Sequence, residues 1–521
     1  MKPRGSSVIL LLAVLGGGIA GWLLTRTTIP EEAPPVAVKT PEAPRLSDPA
    51  PKTSKLGKRE RSMVRDGEAA EAGALQNQRS LRFSDRDAYD RFLAAAKGKG
   101  IAILGSIDRL NALHVGFLSL DELNALLDGS EEAGFIFPVS LPTPKTEGVQ
   151  EGAVGFGESL LSWLGITSDN SSYGKGFKIA ILDTGSTLDG ARNQFLVAAP
   201  ADPANWNGHG TAVADLILQI APSADLYSWR VANDEGQSNS FLLAQGILAA
   251  VDAGVDVINI SMGSYGNSPI LRDAVETALA AKVMIYASGG NEGYEQLAYP
   301  AAYEGVVGVG AVDANGSYLN VSNTGNVTMT APGLDLVTAW TGGESVYFTG
   351  TSASSPIGVG VLAAAASQGG NRISTRQAYD LVTGNLNEAG APGLDSYYGI
   401  GMVDLGRVLQ SGQSGITDAA IASNFVSTGN GGNPQLQVTV QNRGTTTLVN
   451  TPVEVTTPAG TTSLNITTLQ AGDIATFNLP LSYTGGSAVI QSKVQVSGGI
   501  NDLKPSNNRR TDVYTPPATT D

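Results

Sequence analysis

Runs of apolar residues set the plan of this chain. Between residues 173 and about 412 they come in two lengths. Short, unbroken runs at 178–182, 225–231, 255–261, 283–288, 306–312 and 327–331 predict strands buried on both faces. Longer apolar segments at 210–220, 240–253, 270–281 and 355–366 predict helices between them. Strands and helices in alternation predict an α/β domain, a parallel sheet flanked by helices, over 150–412.

The pattern differs on either side. Upstream, 80–83 reads as a strand, and Ser84 caps a helix carrying Tyr89, Phe92, Leu93 and Ala96 at helical spacing. Strands at 101–104 and 110–117 follow. Ser119 with Glu122 then opens a second helix through Leu123, Leu126 and Leu127, and 135–137 closes the set. That β-α-β-β-α-β order predicts a small α+β, ferredoxin-like domain at 79–142. A connection at 143–172, with an apolar helix around 160–164, leads on. Downstream, residues 413–521 turn rich in Thr, Val, Asn and Gly. Alternating strands at 436–441, 453–457, 462–466, 475–481 and 489–496, with a turn at Asn442-Arg443-Gly444, predict an all-β sandwich.

The N-terminus carries Lys2 and Arg4, a continuous apolar run at 8–24, and Arg26. Residues 1–26 read as an export signal or a membrane anchor, with everything after 26 outside the cytoplasm. The protein is then either secreted or anchored facing the periplasm or extracellular space. A Pro-, Ala-, Glu- and Thr-rich stretch and a basic stretch at 52–65 make 27–78 a linker.

Composition narrows the function. The 521 residues have a formal net charge of −15 and no cysteine. The acidic balance argues against nucleic-acid partners, which favour a basic face. Without cysteine there is neither a disulfide nor a thiolate metal site. With only two histidines a zinc site is not expected. No cofactor is required; calcium stays open, since no EF-hand-like loop is present.

Candidate chemistry gathers where strands end and helices begin. Asp183 follows an apolar strand, at the edge where α/β sheets build sites. His209, flanked by Gly208 and Gly210, opens an apolar helix, whereas His114 alternates like a structural strand residue. Ser352, in Gly350-Thr351-Ser352-Ala353-Ser354-Ser355-Pro356, stands where a strand turns into a buried helix. A nucleophilic serine needs a base, usually histidine. Free N–H groups at a helix start suit a developing oxyanion.

Asp-Thr-Gly at 183–185, His-Gly-Thr at 209–211 and Gly-Thr-Ser at 350–352 resemble, in order and spacing, the three motifs of the subtilisin-like serine proteases (subtilases, peptidase S8 type). The likeness runs from about 178 to 405. It departs at Ala353, Ser354 and Ile357, where the family usually has Met, Ala and His. The resemblance implies a serine endopeptidase acting on proteins or peptides, with catalytic Asp183, His209 and Ser352 and an oxyanion asparagine at Asn291. It implies a substrate groove at Gly236, Ser261, Met262 and Gly263. The pocket for the residue before the scissile bond is walled by Ala287, Ser288 and Gly289 and floored by Ala298, which favours apolar or aromatic residues.

The domain at 79–142 resembles the family's inhibitory propeptide, with Phe135 to Pro144 entering the cleft. The C-terminal region, with Asn501-Asp502 and Pro505-Ser506-Asn507-Asn508, resembles a bacterial adhesion-type immunoglobulin-like module. Two rival readings remain. One is an aspartic protease built on Asp183-Thr184-Gly185, although that chemistry needs two facing aspartates and no second such motif occurs. The other is a catalytically inactive surface-binding protein that works through its C-terminal sandwich.

Overall fold

The computed structural model describes residues 66–141, 148–368, 372–428, 434–482 and 486–516. The apolar N-terminal run, the linker up to residue 65 and residues 142–147 lie outside the described residues. Among the described residues no helix is long and apolar enough to cross a membrane.

The centre is a seven-stranded parallel sheet. Its order is Met329–Pro332, Val307–Val312, Met284–Ser288, Val257–Ile260, Lys178–Asp183, Asp225–Arg230 and Arg192–Phe195. Val257–Ile260 and Val307–Val312 are wholly buried and the other inner strands mostly so, which is why they read as apolar runs. Helices cover both faces. Ser240–Asp252 and Pro269–Ala280 share one core with Val257's neighbours Ile258 and Ile260, while His209–Ile220 and Thr351–Ala366 share the other with Ile179 and Val309. Every residue of Thr351–Ala366 is buried, as expected of a helix that is apolar all round. Gly358 and Gly360 let it approach closely: a Cβ there would sit 3.1 Å from the Tyr286 ring and 3.0 Å from Ile220.

The N-terminal domain is a four-stranded antiparallel sheet in the order Ile101–Ile107, Ala112–Phe117, Gln78–Phe83, Glu131–Phe135. Helices Arg86–Ala96 and Leu120–Leu126 complete the β-α-β-β-α-β order. Asp85 rather than Ser84 caps the first helix, accepting from Ala88 N–H at 2.8 Å. The last strand stops at Phe135, and Ile136-Phe137 leads into a separate short strand, Pro138–Ser140.

This domain sits on the two helices of one face. Its His114 ring lies 5.2 Å from Phe241, and Gln245 Nε2 donates to Ser106 O at 2.8 Å. Arg82–Asp273 and Arg109–Asp252 pair at 2.8 Å, but these are partly exposed pairs that contribute little.

At the C-terminus, two antiparallel sheets enclose one apolar core. One holds Ala419–Thr428, Pro434–Asn442 and Ile474–Pro480; the other holds Gly460–Leu469, Leu448–Thr457, Ala488–Val494 and Arg509–Tyr514. The sandwich is fastened to the α/β part by buried polar groups. Gln441 Nε2 donates to Leu386 O at 3.0 Å, and its Oε1 accepts from Glu388 N–H at 3.0 Å.

Candidate active site

Asp183 ends its strand and is fully buried. Its oxygens lie 2.9 and 3.0 Å from His209 Nδ1, and Oδ1 also accepts Thr184 N–H at 2.8 Å. His209 starts its helix; its ring meets the Phe348 ring edge-on at 5.1 Å. Its Nε2 is buried and has no hydrogen-bond partner. A buried imidazole bonded to a carboxylate through one nitrogen and bare at the other is set to receive a proton there. Asp183 therefore faces a histidine, not a second carboxylate, and the aspartic-protease reading has no geometric support.

Ser352 lies in the first turn of the buried helix, after Gly350 at φ 115°. Gly350 is required twice over: the left-handed backbone favours glycine, and a Cβ would come within 2.5 Å of Asn291 Nδ2. Ser352 Oγ here donates to Ser261 O at 3.1 Å. Pro356 has no N–H for the carbonyl four residues earlier, that of Ser352. Ser261 Oγ fills the vacancy, donating to Ser352 O at 3.1 Å. Behind it, Asn259 Nδ2 donates to Ser261 Oγ at 3.0 Å, and Ser355 Oγ donates to Asn259 Oδ1 at 2.8 Å. This fully buried polar chain fixes the start of the helix.

Asn291 adjoins Ser352 through Thr351. Thr351 N–H and Oγ1 both donate to Asn291 Oδ1 at 2.9 Å, so the amide oxygen is tied down and the NH₂ end lies beside Gly350. Its loop is held by a network that sequence reasoning missed. Asn291 N–H donates to Glu292 Oε2 at 2.8 Å, and Tyr265 OH bonds the same oxygen. Asn323 Oδ1 accepts from Glu292 and Tyr294 N–H, while its Nδ2 donates to Tyr265 OH at 2.6 Å. Desolvation and the neighbouring Glu292 carboxylate raise the Tyr265 phenol strongly, so it stays a donor.

The expected groove residues converge, with different parts. Ala298 N–H donates to Gly289 O at 2.9 Å, and a Cβ on Gly263 would touch the Ala298 Cβ, so Gly263, Gly289 and Ala298 share one wall. Ser261 and Ser288 are buried beside it, whereas Met262 and Ala287 point into the core. Gly236 lies across the cleft, immediately before the strand Gln237–Asn239.

The groove is filled by the chain itself. Pro138–Ser140 runs antiparallel to Gln237–Asn239. Ser140 exchanges two 3.2 Å backbone bonds with Gly263, and Leu141 N–H donates to Gly236 O at 2.9 Å. Among the described residues, no cluster of His, Asp and Glu is arranged to hold a metal ion.

Part of this chain is similar to known proteins. Residues 174–401 match the Subtilase family, Peptidase_S8. A thermostable alkaline protease of Halalkalibacterium halodurans is 34% identical over 254 residues, 46% of this chain and 69% of that protein. An intracellular serine protease of Paenibacillus polymyxa is 35% identical over 221 residues, 37% of this chain and 68% of that protein. Subtilisin DY of Bacillus licheniformis is 30% identical over 264 residues, 46% of this chain and 92% of that protein. With a matched region that spans Asp183, His209, Asn291 and Ser352, the chain belongs to the subtilase family of serine endopeptidases.

Proposed function

We propose that this protein is an exported, self-inhibited protease precursor that hydrolyses peptide bonds through an acyl-enzyme. Ser352 Oγ attacks the carbonyl carbon of the scissile bond after turning about its Cα–Cβ bond from Ser261 O towards His209 Nε2. That nitrogen takes the hydroxyl proton. Asp183 holds the ring and stabilises its charged form. The oxyanion is received by Asn291 Nδ2 and the Ser352 N–H. Collapse breaks the C–N bond and the amine leaves with the proton from His209. A water molecule then repeats the sequence on the ester, releasing the acid and restoring Ser352. The observation that carries this reading is the buried Asp183–His209 pair with an unpartnered Nε2.

Residues 79–142 act as the inhibitory propeptide. Support comes from strand 138–140, which pairs in the groove as an extended substrate would and excludes other peptides. The 150–412 region is the peptidase. The 413–521 sandwich is an accessory module resembling immunoglobulin-like adhesion domains. Residues 1–26 direct export and either leave with cleavage or anchor the protein. The test is to express the chain from about residue 53, with and without Ser352→Ala, and follow its mass. The intact chain should lose a fragment cut between about 139 and 172, and the variant should not. A variant that processes as fast as the parent contradicts self-maturation.

A further inference from the structure

The groove extends further than the backbone pairing around Leu141. Four residues upstream, Phe137 is 6% exposed although it lies outside the four-stranded sheet of its own domain. Its backbone is gripped on both sides by one residue. Phe137 N–H donates to Ser240 Oγ at 3.1 Å, and Ser240 N–H donates to Phe137 O at 2.9 Å. Ser240 is fully buried, and its helix start is fixed by Asn239, whose Oδ1 accepts from Phe241 and Leu242 N–H. The Phe137 ring lies over Gly266, where any Cβ would overlap it. Gly266 is not in a left-handed conformation, so the absence of a side chain there serves the ring rather than the backbone. The far side of the ring is covered by Ala69 and Ala74, from the segment just before the N-terminal domain, and by Phe135 of that domain.

We infer that Ser240 and Gly266 form a distal subsite for an aromatic side chain. It lies four residues towards the N-terminus from the position held by Leu141, and it accepts extended peptides as well as the chain's own Phe137. This deepens the proposed protease function and rests on it. A peptide laid along Gln237–Asn239 in the register of Pro138–Ser140 brings its residue at the Phe137 position to this slot without further bending. There Ser240 supplies one donor and one acceptor to the peptide backbone, and the gap above Gly266 supplies the apolar contact. The enzyme provides only one face of the enclosure, so a free peptide gains part of what Phe137 gains.

The test uses the full chain after removal of its N-terminal domain, by itself or by a separate protease. Three fluorogenic peptides are compared. One carries Phe-Pro-Val-Ser-Leu, the second Ala-Pro-Val-Ser-Leu, and the third begins at the Val. All three share the same downstream residues. The Phe peptide should exceed the Ala peptide by roughly tenfold in kcat/KM, near the low end for burying one large apolar side chain. Gly266→Ala should erase that preference while leaving the short peptide unaffected. Ser240→Ala should slow both long peptides and spare the short one. Equal rates for the Phe and Ala peptides on the parent enzyme would overturn the subsite, as would a preference that survives Gly266→Ala. Failure to cleave even the short peptide would instead strike the protease reading.

Discussion

Replacing Asp183 by Asn removes one charge and changes almost no volume. Asp183 is fully buried, with Nδ1 of His209 2.9 and 3.0 Å from its two oxygens. Thr184 N–H, at 2.8 Å, will keep an oxygen at the Oδ1 position, so the asparagine NH₂ takes the Oδ2 position 3.0 Å from Nδ1, where an Nδ1–H would meet an N–H. An NH₂ only donates. The ring must then offer its lone pair at Nδ1 and carry its proton on Nε2, where it cannot accept the Ser352 proton. The expected loss in kcat is about 10⁴. At about 1.36 kcal/mol per decade this is about 5.4 kcal/mol of transition-state stabilisation. KM should hardly move, because Asp183 lies behind the ring and touches no substrate. The assay is steady-state cleavage of a chromogenic peptide, with the N-terminal domain removed by a separate protease since the variant will not process itself. Thermal melting of the same preparation checks that the fold is intact. A folded variant that loses less than about tenfold in kcat would refute the tautomer argument.

Asn291→Ala should lower kcat by about 10²–10³ with KM little changed, the loss typical of one missing oxyanion donor; a rate equal to the parent's would remove it from the site. Ser140→Pro deletes the N–H that bonds Gly263 O, and in a Ser352→Ala chain nicked after the N-terminal domain it should weaken that domain's hold about ten- to hundredfold. Unchanged affinity by titration calorimetry would show that the strand pairing does not contribute to inhibition. Burial holds the His114 imidazole down at about 4, whereas an unfolded chain protonates it near 6.5. The native state therefore binds fewer protons across that window, and the stability of the N-terminal domain falls as pH drops from 6.5 to 4, by on the order of 3 kcal/mol. His114→Gln should flatten this dependence in denaturant unfolding; an equally steep profile would place the sensitivity elsewhere.

The α/β sheet was legible because its strands are buried on both faces and its helices carry long apolar stretches. Asp183, His209 and Ser352 stood out as candidates because each stands at a junction of such elements beside small residues, and the Asp183–His209 pairing follows in the fold. What escaped was polar and paired at long range. The edge strand Arg192–Phe195 has three polar residues out of four and is largely exposed, so it shows no strand pattern. Gln237–Asn239 is wholly polar, and its partner is the chain a hundred residues earlier. The sandwich's outer strands Ala419–Thr428 and Arg509–Tyr514 were missed; the second alternates only between exposed and half-buried positions. Thr351, Asn323, Tyr265 and the Ser355–Asn259–Ser261 chain are ordinary polar residues in sequence. They become supports of the site only where folding brings together residues 58 to 96 positions apart. His114 does keep its structural place in a strand, but its ring also faces Phe241 across the seam between the N-terminal and α/β regions.

The central claim is that Ser352 is the nucleophile activated by His209. The most direct measurement is labelling with a serine-reactive fluorophosphonate, after the N-terminal domain has been cut away, followed by peptide mass mapping. The account predicts a single adduct, on Ser352, absent from Ser352→Ala and strongly slowed in His209→Ala. A folded, unblocked enzyme that takes no label, or takes it on another residue, would contradict it.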